Sequence, residues 1–181
     1  LRLDMPLVLA SQQVATVVLS PTVGGVLLNG STLIQQSTYS ATRNTNVRLR
    51  LAAAVSGRAT VAASAGSTVI DAGSVAPAFG YYTLVPAGSA LNISVASASV
   101  GAPATPLVAG SDMTLLVYGD AASPTATLLT DDNRPPTDTT TIKMRLINGV
   151  TGAAGALTLT ANNALVASRV APGTASTPVA V

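Results

Sequence analysis

The sequence predicts an all-β fold of tandem immunoglobulin-like antiparallel β-sandwiches, the second incomplete within the chain. Three observations predict it. Val, Ile, Leu and Thr recur at alternating positions, the period of a strand with one buried face. Gly, Pro, Asn or Ser break the pattern at roughly eight- to twelve-residue intervals, as turns do in sandwiches. A central stretch also returns near the end of the chain at a constant offset.

The elements follow in order. Residues 1–45 form a strand-rich extension, with Leu7-Val8-Leu9, Val14 to Leu19, Val26-Leu27-Leu28 and Thr32 to Thr42 as its strands. Val47-Arg48-Leu49-Arg50-Leu51 alternates without a break, which puts Val47, Leu49 and Leu51 on a buried face and Arg48 and Arg50 on the other. Ala-rich Leu51 to Ala54 invites a helix, but the period of two before it favours continuation of the strand. Leu91-Asn92-Ile93-Ser94-Val95 and Leu157-Thr158-Leu159-Thr160 alternate in the same way, and Met113 to Tyr118 reads as a central strand. Further strands are expected near Ala90–Ser97, Asp112–Gly119 and Thr125–Thr130. Pro86-Ala87-Gly88 reads as a turn, and Asn162-Asn163 as a hairpin turn, since Asn tolerates positive φ.

Val47 to Val85 aligns with Ile142 to Ala180 without a gap, at an offset of 95 (47 to 142). Arg50, Leu51, Gly57 and Val75-Ala76-Pro77 meet Arg145, Leu146, Gly152 and Val170-Ala171-Pro172. The organisation expected is an extension at 1–45, a first sandwich repeat at 46–133, a Pro/Asp/Thr linker at 134–141 and a second, partial repeat at 142–181. Around the linker, Asp131, Asp132, Asn133 and Asp138 could present hard oxygens to calcium. With no bidentate Glu and no Gly-centred loop, a solvated stretch of Asx turns is the better expectation.

Composition excludes several functions. The chain has no His, no Cys and no Glu, one Lys (Lys143) and seven Asp. Acid–base catalysis, His-activated nucleophiles and the common zinc and haem sites lose their usual groups, so neither an enzyme nor a cofactor or metal is expected. Charged residues make up 9% of the chain, against about 25% in ordinary domains. The one local basic cluster is Arg43, Arg48 and Arg50, read as a solvated strand face rather than a nucleic-acid stripe. No apolar run reaches the roughly 20 residues of a membrane helix. Starting at Leu1 rather than Met, the chain reads as a mature or partial product. Few charges, many Ser and Thr, and no Cys suit an extracellular or cell-surface bacterial protein.

Lys143 lies on the polar phase of its strand and is expected to be solvated rather than joined to Asn or Asp in an isopeptide bond. Phe79, Tyr81 and Tyr82 form the one aromatic cluster, read as filling for a core or an inter-subunit seam ahead of a platform for sugars.

Several motifs resemble the bacterial secreted family catalogued as domain of unknown function 4397. They are Val47-Arg48-Leu49-Arg50-Leu51 with its echo at Ile142 to Gly149, the Val75 to Gly80 element, the Tyr82 to Gly88 turn, and Leu128-Leu129-Thr130-Asp131-Asp132-Asn133. The resemblance spans about residues 46–181 and implies a secreted or surface-anchored β-sandwich, often in tandem. It implies no activity.

An incomplete sandwich exposes strand edges and an apolar face. The function expected is therefore an extracellular structural subunit whose copies join head to tail into a filament or matrix by β-strand exchange. Leu7, Leu9, Val14, Val17, Val18 and Leu19 are the candidate donor residues. Leu146, Leu157, Leu159, Leu165, Val179 and Val181 are the candidate acceptors. The alternative is a monomeric surface module that binds a glycan or a protein receptor.

Overall fold

The computed structural model describes residues 3–35 and 38–181. It is all-β. Its strands are β1 (Ala15–Pro21), β2 (Leu28–Ile34), β3 (Tyr39–Thr42), β4 (Asn46–Val55), β5 (Thr60–Ala65), β6 (Thr68–Val75), β7 (Ala78–Phe79), β8 (Thr83–Pro86) and β9 (Leu91–Val95). They continue as β10 (Ala98–Val100), β11 (Asp112–Asp120), β12 (Ser123–Asp131), β13 (Lys143–Met144), β14 (Ile147–Asn148), β15 (Leu157–Ala161), β16 (Ala164–Val170), β17 (Thr174–Ala175) and β18 (Val179–Ala180).

The first repeat is a sandwich of two sheets, one ordered β10-β9-β5-β6 and the other β12-β11-β4-β7, with β8 also on β4. Alternation in β4 sends Val47, Leu49, Leu51, Ala53 and Val55 inward, where they meet Met113, Leu115 and Val117 of β11 and Val61, Ile93 and Val95 of the facing sheet. All are buried, and each large aliphatic contributes roughly 1.5–3 kcal/mol. One pairing departs from the antiparallel expectation: β4 and β11 run parallel, with Leu49 opposite Met113 and Leu51 opposite Leu115. The long β4–β11 connection is what permits this, since a parallel neighbour needs a crossover.

Strands β1, β2 and β3 form their own antiparallel sheet, in the order β1-β2-β3. The expected strand at Leu7-Val8-Leu9 does not form. The expected Thr32 to Thr42 strand is divided between β2 and β3, and its residues 36 and 37 lie outside the described residues. The sheet is fastened to the sandwich through the β1–β2 turn. Leu27 is fully buried there, Thr22 Oγ1 donates to the Gly110 carbonyl at 2.6 Å, and a Cβ on Gly25 would lie 2.8 Å from Asp112 Oδ1.

The second repeat reproduces the pairings of the first. Arg48 pairs with Leu84 and Leu49 with Thr83; Lys143 pairs with Ala180 and Met144 with Val179. Ala52 pairs with Phe79 and Ala53 with Ala78; Ile147 pairs with Ala175 and Asn148 with Thr174. The β5–β6 and β15–β16 hairpins carry the same two register shifts. These pairings correct the gapless alignment. The offset is 95 for β4 against β13–β14 (48 to 143), but 96 from the hairpin onward (61 to 157, 79 to 175). One extra residue is absorbed between Gly152 and Leu157, where Gly155 takes a φ of +57°.

Candidate functional site

The outward phase of β4 is where the two repeats meet. The parallel register sets Arg48 beside Asp112, Arg50 beside Thr114, Ala52 beside Leu116 and Ala54 beside Tyr118. β12 adds Asp131 opposite Asp112. One end of this face is therefore charged and the other apolar. The second repeat covers the apolar end: Gly149 lies so close to Ala54, and Gly173 to the Tyr118 ring, that a Cβ at either would collide. Leu116, Ala52 and Thr114 are buried on this face.

At the charged end, Asp131 is the hub. Its side chain is 1% exposed and pairs with Arg50 at 3.4 Å and with Arg145. It also accepts hydrogen bonds from Thr114 Oγ1 at 2.6 Å and from the Tyr82 hydroxyl. Arg50 and Arg145 are equivalent positions of the two repeats, so one carboxylate grips both. Arg145 further donates to the Thr130 carbonyl at 2.9 Å. Asp112, wholly buried, pairs with Arg48 at 3.0 Å and accepts from Asn133 Nδ2 at 2.6 Å, while its Oδ1 has no partner. Asp132 accepts from Arg134 Nε and Lys143 Nζ, each at 2.8 Å. Those two bonds, Arg134 first, hold its carboxyl well below the usual carboxylate range.

Aromatic rings line the arginines. Arg48 lies 4.4 Å from the centre of the Tyr82 ring, and Arg50 lies 4.3 Å from that of Phe79 and 4.4 Å from that of Tyr82. Burial, reinforced by the bond to Asp131, pushes the Tyr82 hydroxyl up to about 12. Between the repeats opens a cleft of about 460 Å³, walled by Arg50, Phe79, Asp132, Asn133, Lys143 and Arg145, with Met144, Ile147 and Pro178 as apolar lining.

Several sequence expectations are corrected here. Arg48 and Arg50 are mostly buried ion-pair partners, not a solvated face. Lys143 is paired, not free in solvent. Phe79, Tyr81 and Tyr82 fill no core: Tyr81 is 95% exposed, Phe79 is more than half exposed, and Tyr82 stacks on arginines. Asp131 and Asn133 belong to the network rather than to a solvated linker. Among the described residues, no group of three acids is placed to hold a metal. Sequence reasoning had a signal for the network in the alternation of Arg48 with Arg50 and its echo in Lys143 and Arg145.

The candidate donor residues lie on and before β1. Val17, Val18 and Leu19 are about half exposed on β1; Leu7, Leu9 and Val14 precede it and are also exposed. β1 is already paired along its length with β2, so it is not a free donor. Its opposite edge has no partner strand among the described residues, and no residue between Asp4 and Arg43 is charged. Of the candidate acceptors, Leu157 and Leu159 lie on β15, Leu165 on β16 and Val179 on β18, while Leu146 and Val181 lie just outside strands. Leu165 is exposed, and Leu146, Leu157, Leu159 and Val179 are half-buried. β15 pairs only with β16 among the described residues, whereas its counterpart β5 also pairs with β9. No strand of residues 3–45 pairs with the second repeat. No described helix is long and apolar enough to cross a membrane.

No family model and no curated protein matches this chain. Among solved structures it is similar to a candidate cell adhesion protein from Bacteroides uniformis, at 14% identity and a TM-score of 0.33. The match covers 65% of this chain and 66% of the other, so less than two thirds of that protein's length is spanned.

Proposed function

We propose that this chain is an extracellular structural module, a surface β-sandwich of the kind its resemblance to the domain of unknown function 4397 family implies, whose copies join head to tail by strand addition. One observation carries this reading: β1 is an edge strand with Val17, Val18 and Leu19 exposed and no charge to guard it. Soluble proteins usually protect such edges with Lys, Pro or a covering element. The receiving edge is that of β15, because its counterpart β5 holds β9 there in antiparallel register. A contact between two different edges is head to tail, and it propagates as a filament when its rotation does not close a ring. Because β1 is held by β2, the joint is edge-to-edge addition rather than donation of a free strand.

The absence of Cys makes the test clean. A chain carrying Val18→Cys together with Thr158→Cys is expected to oxidise into a ladder of disulfide-linked multimers, and the parent chain to sediment faster as concentration rises. A parent that stays monomeric throughout sinks the reading. So does a Val18→Cys single variant that dimerises as efficiently as the pair forms ladders, because that places β1 against β1.

A further inference from the structure

We propose that the cleft between the repeats binds a carboxylate-bearing saccharide, a uronic acid unit of an acidic glycan. This site is separate from the β1 and β15 edges, so its test is independent of strand addition. Five cations, Arg48, Arg50, Arg134, Lys143 and Arg145, are served by three carboxylates. Arg48 has Asp112 to itself, but Arg50 and Arg145 share Asp131, and Lys143 and Arg134 share Asp132. Each shared carboxylate leaves one positive charge uncompensated. These two charges equal the net charge of the whole chain, +2. Arg50, Arg145 and Lys143 line one cleft of about 460 Å³ together with the single carboxylate Asp132, while Arg134 lies outside that wall, so cations outnumber carboxylates there.

The remaining lining selects the kind of anion. Arg50 stacks on the Phe79 ring, which is still 57% exposed and forms part of the cleft wall. An exposed ring beside a cation suits a ligand with a flat C–H face and a carboxylate, the two features of a uronic acid. A phosphodiester polymer would want a longer basic stripe than two uncompensated charges provide. Asn133, whose Nδ2 is held by Asp112 and Tyr82, offers its Oδ1 in the cleft lining as an acceptor for sugar hydroxyls.

Trigalacturonate is the probe, titrated into the intact chain by calorimetry and by NMR. Binding is expected at low salt, weaker in 0.5 M NaCl, and absent for the methyl-esterified trisaccharide. Lys143→Gln should weaken it about tenfold, the size of one charge-assisted contact, and Phe79→Ala several-fold, about the size of one lost ring stack, while Lys143→Arg retains it. Phe79 is exposed, so its variant tests the site without touching the core. Equal binding of acid and ester overturns the proposal, as does no binding at millimolar trigalacturonate. Competition by inorganic phosphate as effective as by the sugar also overturns it, since it reduces the site to a generic anion hole.

Discussion

Asp131 takes four hydrogen-bond and ion-pair partners, and its burial sets the cost of disturbing it. Two guanidiniums, a threonine hydroxyl and a phenol converge on a carboxylate that solvent does not reach. Removing one partner from a buried ion pair costs roughly 3–5 kcal/mol, because the group left behind keeps its charge without its hydration. Asp131→Asn strands two cations, Arg50 and Arg145, that then face each other. Arg145→Met strands no charge, since Arg50 still serves the carboxylate through Oδ2; it leaves Oδ1 and the Thr130 carbonyl without this donor. Asp131→Asn is therefore expected to destabilise the protein by about 3–5 kcal/mol and Arg145→Met by about 1–2 kcal/mol in urea unfolding. Equal losses in the two variants would show that Asp131 serves one arginine, not both.

At the scale of strands and hairpins, alternation made the inward faces readable. Val47, Leu49 and Leu51 are buried as the period of two requires. The same alternation placed Arg48 and Arg50 together on the other face but carried no information about what covers that face, and so a clamp was read as solvated charge. Asp131 and Asn133 misled for a related reason. Their setting among Asp, Asn and Pro is that of a loop, yet Asp131 ends β12 directly opposite Asp112. The parallel β4–β11 pairing had no local signature at all, because it joins segments more than fifty residues apart (48 to 112). The gapless offset failed at a single residue, since the repeated Val-Ala-Pro triplets kept the sequences in step where the hairpins had slipped by one. Gly149, an unremarkable residue in the sequence, is what lets β14 approach β4. Gly149→Val is expected to push the second repeat off Ala54 and Leu116. Limited proteolysis should then cut beyond residue 133 at least tenfold faster while 46–133 stays resistant. Unchanged cleavage there would mean that the close approach contributes nothing to docking.

Across the whole molecule, the two repeats are joined by an apolar half around Gly149 and Tyr118 and a charged half around Asp131 and Asp132, and Asp132 gives the second a response to pH. The sign follows from Asp132. Arg134 and Lys143 hold its folded pKa below the unfolded value of about 3.8, so the folded chain binds protons less readily than the unfolded one. Its contribution is complete above that value and is lost as pH falls toward 2. Asp132 is a third exposed, so solvent screens the pairs and the contribution is about 1 kcal/mol. In a chain of this size, that corresponds to about 2–4 °C in melting temperature. Melting followed by circular dichroism is expected to fall between pH 5 and pH 2.5, and Asp132→Asn to fall by about 2–4 °C less over the same range. Parallel curves for the two proteins would remove Asp132 from the joint.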